Sequence, residues 1–112
     1  MGKIIQIAQI SPSGTTTELA YANPDKKVTT VKHISVVNYS GGALSYTVYL
    51  NTTTGEFANN NIILHNGSLA ANSTETFTGT WHLPKIGQGV IGVKASAGSS
   101  ITFTINGERF GR

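Results

Sequence analysis

The chain has 112 residues, with 8 Lys+Arg against 5 Asp+Glu and a formal net charge of +3. Residues 1–112 read as a single domain, long enough to bury a core without covalent staples. The sequence contains no cysteine, which excludes disulfides, thiolate nucleophiles and Cys-type zinc sites.

Only 12% of the residues are charged, so the surface must be built largely from Thr, Ser, Asn and Gly. The basic residues are scattered, and only Lys26 and Lys27 adjoin. A nucleic-acid binder clusters its cations and interleaves aromatics, so no nucleic-acid partner is expected. No run approaches the roughly 20 apolar residues of a membrane helix, and no membrane partner is expected either.

In chain order, the opening "MGKIIQIAQI" reads as a terminal strand over Ile4–Ile10, rich in isoleucine. It lacks the longer apolar region and cleavage site of a signal peptide. Gln6 stands where a myristoylation signal wants Ser or Thr. A turn at Pro12-Ser13-Gly14 leads to a weak strand over Thr16–Tyr21, and Asn23-Pro24-Asp25 is the next turn. "VKHISVVN" turns Ile34 and Val36 inward. After Ser40-Gly41-Gly42, "ALSYTVYL" alternates Leu44, Tyr46, Val48 and Leu50 with Ala43, Ser45, Thr47 and Tyr49. That period of two predicts a half-buried strand.

Residues 51–61 read as an extended loop whose one large apolar side chain is Phe57. A weak strand over Asn61–His65 precedes a turn predicted at Asn66-Gly67. "TETFTGT" has the Thr-rich composition of a strand, with Trp81 just beyond it as core or rim packing. "GVIGVKA" puts Ile91, Val93 and Ala95 on one face and Lys94 on the other. Ala97-Gly98-Ser99 turns the chain into "ITFTI", where Ile101, Phe103 and Ile105 alternate with threonines. No window carries a helical stripe. About eight short strands separated by turns predict an all-β, antiparallel β-sandwich, immunoglobulin-like or jelly-roll-like.

Gly87-Gln88-Gly89-Val90-Ile91-Gly92 spells G-x-G-x-x-G, with Glu108 near the place of a ribose-binding acid. The dinucleotide motif needs a helix after the turn, because helix N–H groups meet the pyrophosphate. Here β-branched residues follow, so the reading is a tight turn into a strand, with Gly92 admitting a close backbone approach.

His33, His65 and His82 show no ligand spacing, and no metal or cofactor is expected. Glu18, Asp25, Glu56, Glu75 and Glu108 suggest no facing pair, and no G-x-S-x-G elbow exists. No catalytic residue is assigned, and the chain is not expected to be an enzyme. The four N-x-[ST] sequons, at Asn38, Asn51, Asn66 and Asn72, are read as chance in a chain this rich in Asn, Ser and Thr.

Two blocks carry a family likeness. They are "ELAYANPDKKVTTVKHISVVNYSGGALSYTVYLN" (18–51) and "LAANSTETFTGTWHLPKIGQGVIGVKASAGSSITFTINGERF" (69–110). Ile34, Val36, Asn38, Ser40 and Gly41 form one motif; Leu69, Ala70, Ala71, Thr74 and the run Val93 to Gly107 form the other. Together they resemble the small β-sandwich proteins of tailed bacteriophage virions, although Val90 stands where such proteins often place a polar residue.

The resemblance implies a non-enzymatic virion structural protein, made in the host cytoplasm. It would decorate the capsid or serve at the neck or tail. Its partners would be other virion proteins and copies of itself, with a host-surface glycan as a further possible contact. The candidate partner-contact residues are Ile4, Ile5, Ile7, Phe57, Arg109, Phe110 and Arg112. The rival is a carbohydrate-binding or adhesin module stacking sugars on Trp81, Tyr39 or Tyr49.

Overall fold

The computed structural model describes residues 4–24, 26–52, 57–83 and 88–111. Eight strands carry the chain: β1 Ile5–Ile10, β2 Glu18–Ala22, β3 Lys27–Asn38, β4 Leu44–Asn51, β5 Ile62–Leu69, β6 Ser73–Leu83, β7 Val90–Ala95 and β8 Ile101–Gly111. Among the described residues the one helical segment is a 3-10 turn at Asn59–Asn61.

The pairing is nested and antiparallel: β1 with β8, β2 with β7, β3 with β6, and β4 with β5. This is one long double-stranded ribbon folded at the β4–β5 connection. Rolling it up adds two further pairings, β3 with β8 and β4 with β7. The result is two four-stranded sheets, sheet A in the order β1-β8-β3-β6 and sheet B in the order β2-β7-β4-β5. That connectivity is a jelly roll, and it decides between the two sandwich types the sequence left open.

The alternation read from the sequence decides which side chains meet between the sheets. Ile34 and Val36 of β3, Tyr46 and Val48 of β4, Ile91 and Val93 of β7, and Ile101, Phe103 and Ile105 of β8 are all buried there. Tyr46 meets Phe103 edge-on, with ring centroids 6.0 Å apart. Its hydroxyl donates to Glu75 Oε1 at 2.5 Å, which satisfies the polar tip of a buried ring. Burial first, and the Glu75 carboxylate second, push the Tyr46 hydroxyl well above its ordinary pKa.

Buried polar side chains tie each end of the sandwich. At one end Asn38 Nδ2 reaches the carbonyls of Gly42, Leu69 and Ala70, while its Oδ1 accepts from Ser40 N and Oγ. At the other, Asn23 Nδ2 donates to the carbonyls of Lys27 and Gln88, and Thr29 Oγ1 donates to Asn23 Oδ1 at 2.6 Å.

Two local expectations change. Asn66-Gly67 is no turn: both lie within β5, where Leu44↔Leu69 and Tyr46↔Asn66 leave an extra residue on the β5 side. The Asn66 side chain holds this bulge, accepting from Ser68 N and donating to Glu75. The turn falls later, with Asn72 in the left-handed region (φ 54°). Gly92 admits an aromatic ring rather than backbone, since an added Cβ would lie 2.6 Å from Phe57 Cζ.

Candidate functional site

The outward faces of the two sheets differ in chemistry. On sheet A the strand period turns Thr74, Thr76, Thr78, Thr80 and His82 of β6 outward. The registers continue these rows across the sheet, for example Thr76↔Ser35↔Thr104↔Gln9. His82 Nδ1 and His33 Nδ1 each face a threonine hydroxyl, Thr30 at 3.0 Å and Thr78 at 3.5 Å.

One end of this face is apolar. Phe110 is 39% exposed and pairs with Val28 on β3. Ile5 pairs with Gly107, so Ile4, 48% exposed, continues the register beside Glu108 on the same outward side. The structure therefore gathers Ile4, Ile5, exposed Arg109 and Phe110 at one end of β1 and β8. Ile7 lies farther along β1, packed against the core beside Ala8 and Ile10. Arg112 lies outside the described residues. No sequence signal joins Val28 to this group, because only the register brings it there.

Phe57 sits elsewhere, over the outward face of sheet B. Its ring covers Gly92 and lies 5.6 Å from the Tyr49 ring. Tyr49 points outward but is only 8% exposed beneath Phe57, so it offers no free stacking face. Trp81 packs against the core. Tyr39 is exposed and its hydroxyl bonds Ser11 Oγ at 2.8 Å.

Two rows cross the outer face of sheet B. The apolar row runs Leu19–Gly92–Tyr49–Ile62 across all four strands, with Leu19 55% exposed. The polar row runs Lys94–Thr47–His65. Beside the polar row lies a cavity of about 240 Å³, lined in part by Thr15, Ser45 and Ser96.

The described carboxylates do not converge. Glu18 accepts from the Ser13 and Gly14 amides. Glu75 accepts from Asn66 and Tyr46, which together hold its carboxyl below the ordinary range. Glu108 is on β8. Asp25 and Glu56 lie outside the described residues. No group of three His, Cys, Asp or Glu side chains is placed to hold a metal ion among the described residues.

No protein-family model matches the sequence, and no curated protein does either. Among solved structures, a chain of the acid-stable capsid of Helicobacter pylori bacteriophage KHP30 is similar over 98% of this chain and 93% of its own, at 11% identity and a TM-score of 0.50. A disulfide-linked pilus protein of Bacillus endospore appendages aligns over 99% of this chain and 90% of its own, at 15% identity and a TM-score of 0.49. The CBM22-1–GH10 modules of a Clostridium thermocellum xylanase align at 9% identity and a TM-score of 0.48, over 96% of this chain but only 24% of theirs. At such identities the phage capsid likeness shows a common fold and nothing finer.

Proposed function

We propose that this chain is a non-enzymatic structural protein of a bacteriophage virion, a capsid decoration or a neck or tail component, assembled in several copies through protein–protein contacts. The observation that carries this reading is the apolar end of sheet A. Ile4, Val28 and Phe110 share one outward corner of a face otherwise dominated by hydroxyl side chains. Clustered exposed apolar side chains rimmed by polar ones are what a protein contact surface requires. The two-block resemblance to virion proteins, and a phage capsid chain that shares the fold along nearly its whole length, support the same reading.

Light scattering of the purified chain over a range of concentrations tests the contact. A discrete oligomer is expected, as closed symmetry produces. Phe110→Asp should shift it to monomer while the chain stays folded, read as retained amide dispersion in NMR, because Phe110 is 39% exposed in the single chain. A wild-type chain that stays monomeric throughout would count against contact between copies.

A further inference from the structure

The polar row on sheet B has the makings of a ligand site that the assembly reading does not use. The Lys94 side chain is exposed, and its ammonium pairs with no described carboxylate. No carboxylate lines the adjoining cavity of about 240 Å³. His65 Nδ1 and Thr47 Oγ1 are 2.9 Å apart. When the threonine hydroxyl donates to Nδ1, the ring proton sits on Nε2 and points away from Thr47. Ser96 Oγ accepts from the Ser45 amide at 2.9 Å, so its own hydrogen remains to be donated. The cavity thus gathers a cation, an imidazole and hydroxyl donors, with no fixed negative charge to oppose an anion.

A second feature lies one strand repeat away. Tyr49 follows Thr47 by two residues on β4, and Gly92 precedes Lys94 by two on β7. The same face therefore carries the Phe57–Tyr49 ring pair about 7 Å from the polar row. Phe57 keeps part of its surface open to solvent, and exposed Leu19 continues the shelf. An apolar shelf beside a cationic pocket matches a sugar ring that carries an acidic substituent. The C–H face of the ring would lie on Phe57, and the oxyanion would reach Lys94 and His65.

We propose that Lys94 and His65, the latter oriented by Thr47, bind the oxyanion of an acidic sugar, a carboxylate or a phosphate ester, whose ring rests on Phe57. The site lies within one copy of the chain, so it stands or falls independently of the oligomer.

Amide-resolved NMR titration of the full chain tests this. The probes are N-acetylneuraminic acid, glucuronic acid, glucose 6-phosphate, glucose and inorganic phosphate. Acidic sugars are expected to shift the amides of Thr47, His65, Lys94 and Ser96, and glucose is not. Lys94→Ala should weaken binding by about tenfold or more, through loss of a charge-assisted hydrogen bond, and Lys94→Arg should restore most of it. Lys94 is exposed, so the variant's unchanged spectrum away from the row would show that it folds. Phe57→Ala should weaken the acidic sugars but not inorganic phosphate. Preference for the carboxylate or for the phosphate sugars would name the source of the anion. Equal binding of glucose, equal binding of inorganic phosphate, or no shift at tens of millimolar would each overturn the proposal.

Discussion

Asn38 closes β3 without any solvent exposure, and its side chain joins that strand's end to the Ser40–Gly42 turn and to Leu69 and Ala70. Asn38→Ala would leave those carbonyls and the Ser40 amide short of a partner. It is expected to lower stability by about 2 kcal/mol, read as a shift in the denaturant midpoint. An unchanged midpoint would mean that water replaces the amide. The motif around Asn38 was visible in the sequence, but its role was not, because two of its acceptors lie some thirty residues on. Glu75 allows a pH test. Its carboxyl is held low by Asn66 and then by Tyr46, so the folded state prefers the charged form. That contribution is fully present above the ordinary carboxylate range and is lost as pH falls through the lowered folded value. Glu75→Gln should therefore lower the melting temperature at neutral pH and converge with the wild type in acid. Parallel curves at all pH values would remove Glu75 from the acid response.

At the level of elements, the period of two was legible wherever one side of a strand is buried. The alternation in "ALSYTVYL" and "ITFTI" assigns the inward sides of β4 and β8 correctly, with Tyr46, Val48, Phe103 and Ile105 facing the other sheet. What alternation cannot show is a second layer outside a sheet. Thr47 and Tyr49 sit on the outward side of β4 and are nevertheless buried, Tyr49 because Phe57 crosses over it. Gly92 marks that crossing, since any side chain there would meet the ring. Gly92→Ala is expected to displace Phe57 and cost about 1–3 kcal/mol. The same substitution made on Phe57→Ala should cost much less, and a double-mutant cycle in thermal unfolding reads the difference. Equal costs in both backgrounds would show that Gly92 matters for its backbone alone. Asn66-Gly67 misled for a related reason. The pair is a hairpin signal when taken locally, and here Glu75 of β6 and the β4 register hold it as a bulge.

For the whole molecule, strand number and sheet faces followed from the sequence, but strand order did not. A period of two assigns a residue to a face without naming its neighbour, and the β1–β8 and β2–β7 pairings join opposite ends of the chain. The candidate contact residues were partly legible for the same reason. Ile4 and Phe110 stood out as apolar side chains near the two termini, but only the rolled ribbon sets them on one corner with Val28. Ile7 packs inward, so truncating β1 would disturb the core together with any interface. Point changes at exposed positions are the cleaner probes. As proposed above, this jelly roll would be a part of a phage particle. The most direct measurement is quantitative mass spectrometry of particles purified from the host that carries the gene. The chain is expected in those particles at a fixed ratio to the major capsid protein, in several copies per particle. Its absence from intact particles, with the chain found only in the host lysate, would rule out a virion role.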